Sequence, residues 1–137
     1  MAYWLLKTEP DAYSWEKLEQ EGKASWTGVR NFQARNNLKL MKPDDVAFIY
    51  HTGEEKMIVG VAKVVSQPYP DPGATSGDWV AIDVLAIKPL QRVVSLEEIK
   101  NTHGLSVMPL VAQPRLSVQP VTDAQAAMIL KIAKTTV

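Results

Sequence analysis

The sequence contains no cysteine, which removes disulfides, thiol nucleophiles and zinc–thiolate centres together. Histidine is nearly as scarce. His51 and His103 are the only two, too few for a zinc site unless carboxylates join them. No Walker loop and no Gly-x-Gly-x-x-Gly occurs, so the glycine-rich cradles for nucleoside triphosphates and dinucleotides are missing. There is no Gly-x-Ser-x-Gly elbow either. Composition leaves a Ser-His-Asp grouping open, but nothing points to catalysis, and no cofactor or metal is expected. Fifteen Lys and Arg against fifteen Asp and Glu leave no net formal charge, which argues against indiscriminate, charge-driven coating of nucleic acid. No apolar run approaches membrane-spanning length. The opening Met1–Pro10 has too short an apolar stretch, with no cationic region before it, to serve as a secretory signal. A cytoplasmic protein without a membrane partner is expected.

What remains has the composition of an ordinary soluble globular chain, 46% hydrophobic and 22% charged. Its 137 residues suit one domain, 1–137, with no internal repeat or linker. Tyr3–Thr8 reads as a strand. Ser14 caps a helix that carries Trp15 and Leu18 and stops at Gly22. A second helix is expected over Arg30–Met41, with Asn31 as a candidate cap. Val46–His51 and Met57–Val65 flank Thr52-Gly-Glu-Glu-Lys56 as a hairpin. Gln67–Asp78, with three prolines and two glycines, reads as a surface loop. Trp79–Lys88 is a further strand, and Gln91–Val94 a short one. Capping boxes at Ser95–Glu98 and Thr122–Gln125 open helices reaching Asn101 and about Lys134. Leu116–Val121 is the last strand, interrupted by Pro120. Strands in the middle with helices at both ends and no regular alternation predict an α+β fold, mostly antiparallel around one core, rather than a Rossmann sheet.

The densest chemistry lies in Trp26-Thr-Gly-Val-Arg-Asn-Phe-Gln-Ala-Arg-Asn-Asn37. Twelve residues hold an indole, two guanidiniums, three Asn carboxamides and a Gln amide, with no acid. An indole offers a face for a flat ring, Asn31 and Asn36 can read donor and acceptor edges, and Arg30 and Arg35 can hold phosphate. The plainer alternative makes Trp26 core and Asn31 only a helix cap. Trp26, however, sits among small polar residues, outside any periodic apolar run. Gly22–Pro43 carries five cations (Lys23, Arg30, Arg35, Lys39, Lys42) and no anion. That is either a local positive patch or a solvated face with counter-charges elsewhere. Trp4, Trp15 and Trp79 read as core, although Trp79 follows the proline-rich loop and is placed to close over a ligand.

Lys7-Thr8-Glu9-Pro10, the Trp26–Asn36 stretch, Phe48-Ile-Tyr-His51-Thr52 and Arg115-Leu-Ser-Val-Gln-Pro120-Val-Thr122 resemble, in order, the successive motifs of the EVE domain family. The resemblance spans the whole chain. It implies a PUA-like pseudo-barrel related to the YTH readers of methylated adenosine, and binding of DNA or RNA that carries a modified base. It also implies that Arg115 and Ser117 return beside the other motifs, and that Tyr50 or His51 lines the cavity. Alternation along the strand lets only one of that pair enter directly. Pro10 ends the first ladder, so the backbone near Thr8 and Glu9 is a candidate for ligand contacts, and Glu9 can accept from an exocyclic amine. The plainer reading there is a Lys7–Glu9 surface pair. In the resulting picture Trp26 stacks on the base, Asn31, Asn36, Thr8 and Glu9 read its edge, and Arg30, Arg35 and Lys39 hold phosphates. Two rivals remain open. In one, Lys7, Glu9 and His51 do acid–base work in a small RNA- or nucleotide-modifying or hydrolytic enzyme; in the other, the basic stretch docks an acidic protein.

Overall fold

Every residue of the strand Val46–His51 (β3) is buried, and the architecture follows from covering both its faces. The computed structural model describes residues 1–137. On one side β3 pairs in parallel with β1 (Tyr3–Thr8), and on the other it pairs antiparallel with β4 (Met57–Val64). Outward from β4 come β6 (Val80–Ser95) and then β2 (Lys23–Trp26). Beyond β1 lies β7 (Val118–Val121), and a two-residue β5 (Tyr69–Pro70) pairs with β6. The helices are α1 (Trp15–Glu21), α2 (Phe32–Leu40), α3 (Leu96–Lys100), α4 (Pro109–Ala112) and α5 (Asp123–Ile132). The expected α+β class is what forms, with β1–β3 the one parallel pairing.

The period of two along a strand sends neighbours to opposite faces. Trp4, Leu6, Ala47 and Ile49 meet Trp15, Leu18, Ala34 and Leu38 from α1 and α2. Leu5, Val46, Phe48 and Tyr50 meet Ile99, Leu110, Ala126 and Ile129 from α3, α4 and α5. The single expected core is thus two apolar clusters, one on each side of the sheet.

Helix boundaries follow local chemistry. Ser14, Asn31, Ser95 and Thr122 each accept a backbone N–H three residues on, satisfying a donor that the helix itself cannot pair. Because Asn31 is an extended cap, the second helix starts at Phe32 rather than Arg30. The two strands expected over Trp79–Lys88 and Gln91–Val94 are one sixteen-residue β6. Pro89 is tolerated inside it where the β4–β6 register shifts between Ile58 and Gly60. Pro120 falls in β7, at the sheet edge, where a missing donor costs nothing. β2, β5 and α4 are the elements that the sequence patterns did not reveal.

Gly60 lets α1 approach the sheet. A Cβ there would stand 2.5 Å from the indole of Trp15, itself buried. Gly60→Ala is therefore expected to displace Trp15 and cost about 1–3 kcal/mol, read as a lower urea midpoint at unchanged slope.

Candidate nucleobase cleft

Trp26 is the last residue of β2, opposite Ile82 of β6. Ala24 and Trp26 turn toward the sheet's interior side while Lys23 and Ser25 turn out, so the indole is half-buried rather than loose on a loop. Its inner part packs on the first apolar cluster. Tyr13 meets it edge-to-face, with centroids 6.2 Å apart and planes at 85°. The Tyr13 hydroxyl donates to Glu21 Oε1 at 2.5 Å. Burial, followed by that carboxylate, pushes the phenol far above its ordinary pKa, so it stays neutral.

These two rings stand in a cleft of about 890 Å³, lined by the end of β1 (Lys7, Thr8, Glu9), by Tyr13 and Glu21, by the run from Lys23 to Asn31, and by Ser117. The volume lies within the ~300–1,000 Å³ common for small-molecule sites. Three cations and two carboxylates share the lining, so the cleft has no strong charge of either sign. Its polar groups are fixed by the fold. Lys7 donates through Nζ to the Pro114 carbonyl at 2.7 Å, and its backbone N–H bonds Ser117 O at 3.0 Å. This ties β1 to the chain before β7, and burial lowers the ammonium's pKa. Asn31 commits its Oδ1 to the Ala34 N–H at 2.9 Å, which leaves its amide NH₂ for the cleft.

One buried carboxylate organises the turn after β2. Asp71 accepts from Gly28 N at 2.8 Å, from Arg30 Nη1 at 2.9 Å and from Gly73 N at 2.8 Å, and its side chain is 0% exposed. Burial pushes its carboxyl up, but the hydrogen bonds from Gly28, Arg30 and Gly73 outweigh this and hold it below the usual range. Gly28 adopts φ +82°, a left-handed turn that glycine accepts without strain. No sequence signal marks Asp71, which lies in the proline-rich segment Gln67–Asp78.

Of the nominated residues, Lys7, Thr8, Glu9, Trp26, Arg30, Asn31 and Ser117 come together in the cleft; Arg35, Asn36, Lys39, Tyr50, His51, Trp79 and Arg115 do not. Neither member of the Tyr50–His51 pair lines it. Tyr50 is buried in the second cluster. His51 accepts the Trp15 backbone N–H on Nε2 at 3.0 Å and faces Glu55 through Nδ1 at 2.9 Å, so it holds α1 to β3 and is not among the residues that line the cleft with Lys7 and Glu9. Asn36, on the exposed side of α2, accepts from Arg35. Lys39 is paired with Asp78. Trp79 stacks on Phe32 at 5.2 Å, outside the cleft. Arg115 lines a smaller hollow that meets the cleft at Asn31. The carbonyls of Thr8 and Glu9, expected to be free, accept from Thr52 and from Ala12 and Tyr13. Three of the five cations between Gly22 and Pro43 have distant partners: Lys23 with Asp83, Arg30 with Asp71, Lys39 with Asp78. Tyr13, Ser25 and Thr27 also line the cleft, and no signal in the sequence marks them.

The EVE domain family model matches residues 2–132. Thymocyte nuclear protein 1 of mouse is 36% identical over 167 aligned positions, spanning 97% of this chain and 74% of that protein. The crystal structure of human THYN1 in complex with DNA containing 5-methylcytosine superposes with a TM-score of 0.92 at 30% identity, covering all of both chains. The YTH domain of the Zygosaccharomyces rouxii MRB1 protein shares the fold alone, with a TM-score of 0.63 at 16% identity over 99% of this chain and 88% of that one.

Proposed function

This chain belongs to the EVE domain family, and we propose that it is a nucleic-acid-binding module that takes a modified nucleobase into the cleft beside Trp26. The observation that carries this reading is the indole at the end of β2, half-buried and braced edge-on by Tyr13, in a cleft of base-accommodating volume. The human relative was solved with 5-methylcytosine-containing DNA, a ligand of the class such a cleft suits. A base entering it would stack on Trp26, meet the Asn31 amide and the Ser25, Thr27 and Ser117 hydroxyls at its edges, and leave its phosphate near Lys7 and Arg30. The near balance of charge in the lining favours selection by the base over selection by the backbone.

The test is a panel of single-stranded oligonucleotides that differ at one position: cytosine, 5-methylcytosine, 5-hydroxymethylcytosine, adenine and N6-methyladenine. A methyl-sized group in a fitted apolar slot discriminates by about 10- to 200-fold. One modified base is expected to bind at least about tenfold tighter than its parent. Equal affinities across the panel would refute base selection.

A further inference from the structure

Outside the cleft, at the first turn of α2, Phe32 is 66% exposed. A lone exposed aromatic is ordinary, but Phe32 is not alone. Trp79 stacks on it, with centroids 5.2 Å apart and planes within 21°. The Arg35 guanidinium stands 5.0 Å from the Phe32 ring and 5.6 Å from that of Trp79. These three separations make a nearly equilateral triangle, so Arg35 lies beside the stack; on the outer face of Phe32 it would be almost twice as far from Trp79. One face of Phe32 is therefore covered by an indole, with a cation at its margin, and the other is open. Arg30 joins the two regions, since it lines the cleft and also stands 5.6 Å from the Trp79 ring.

We propose that the open face of Phe32 is a stacking platform for the nucleotide next to the base held in the cleft, on a single strand, with Arg30 and Arg35 flanking the intervening phosphate. This rests on the base-binding reading above and adds a second contact to it. Charge and continuity select the occupant: a flat ring is matched by Phe32, an anion by Arg35, whose guanidinium bonds the neutral Asn36 amide rather than a carboxylate, and a ligand bridging both regions must pass Arg30. The covered face selects the strand state. A residue that plugs a duplex after base extraction is sandwiched between two base pairs and needs both faces free. Phe32 has one.

Three probes test this: 5-methyl-2′-deoxycytidine 5′-monophosphate, a single-stranded DNA trimer with central 5-methylcytosine, and a duplex with the same modified site. Stacking on an aromatic side chain raises affinity by about 5- to 150-fold per base, so wild-type protein is expected to hold the trimer at least about fivefold tighter than the monophosphate. Phe32→Ala, at an exposed position, is expected to remove that advantage and leave monophosphate affinity unchanged, while Phe32→Trp retains it. Wild-type trimer affinity in folded Phe32→Ala, with monophosphate binding intact, would overturn the platform and leave the cleft standing. Loss confined to the duplex would replace the platform by a plug. No wild-type binding of either the monophosphate or the trimer would remove the cleft reading and the platform with it.

Discussion

Trp26→Ala is expected to abolish measurable base binding in a protein that still folds. The indole is the largest flat surface in the cleft, and stacking on an aromatic side chain contributes roughly 1–3 kcal/mol per base, or about 5- to 150-fold in affinity. The actual loss should sit at the upper end, because Tyr13 is braced against the same ring and would no longer be held at the cleft wall. Stability should fall less. Trp26 is only partly buried against the first apolar cluster, so losing its packed portion costs about 1–2 kcal/mol, which a domain of ordinary stability survives. Trp26→Phe, which keeps a smaller face, is expected to recover part of the affinity. The measurements are a calorimetric titration with the preferred oligonucleotide and a thermal melt followed by circular dichroism. A folded Trp26→Ala protein with wild-type affinity would place the base elsewhere.

Features that the sequence disclosed were those with a local cause. Ser14, Asn31, Ser95 and Thr122 each act on an N–H three residues away, and the apolar run of β3 marks a strand, although not that both its faces are covered. What stayed hidden depends on partners far along the chain. Lys23–Trp26 becomes a strand only because Val84 and its neighbours in β6 are there to pair with it. The run of cations looked like a phosphate-binding patch because Asp71, Asp78 and Asp83, which neutralise most of it, come some forty to sixty residues later.

The site divides along the same line. Lys7, Thr8, Glu9, Trp26, Arg30 and Asn31 sit in two short motifs that the fold brings to one cleft. Asn36 belongs to the second motif and Lys39 follows it closely, but neither lines the cleft. His51 was recognisable as a strand-end histidine, yet nothing local says that its ring is taken up by the backbone N–H of Trp15.

The second large effect is expected at Asp71, which touches no ligand in this reading but holds the turn that shapes the cleft. Removing its carboxylate in Asp71→Ala leaves the Gly28 and Gly73 N–H groups and the Arg30 guanidinium without their common acceptor. Arg30 is 39% exposed and can turn to water, so the cost is that of lost charge-assisted hydrogen bonds, about 2–3 kcal/mol, rather than that of a fully buried orphan charge. Base affinity should fall with it, since Gly28 and Arg30 both line the cleft. Asp71→Asn keeps an acceptor and loses the charge, and pH then separates the two contributions. The folded carboxyl titrates below the ordinary value of about 3.9. Its stabilisation is therefore fully present above that value and is lost as pH falls through it toward the folded pKa. Asp45 has a carboxyl lowered in the same sense: burial raises it, and hydrogen bonds from Ala2, Trp4 and Lys42 more than reverse this. Asp78 beside Lys39 and Glu98 beside Arg92 are lowered as well. The wild-type acid transition thus contains all four groups, and the difference from Asp71→Asn isolates one. The melting temperatures of the two proteins are expected to differ most between about pH 5 and 7 and to converge below about pH 4. A gap that stays constant down to pH 3 would mean that the charge of Asp71 contributes nothing and that its hydrogen-bonding shape alone holds the turn.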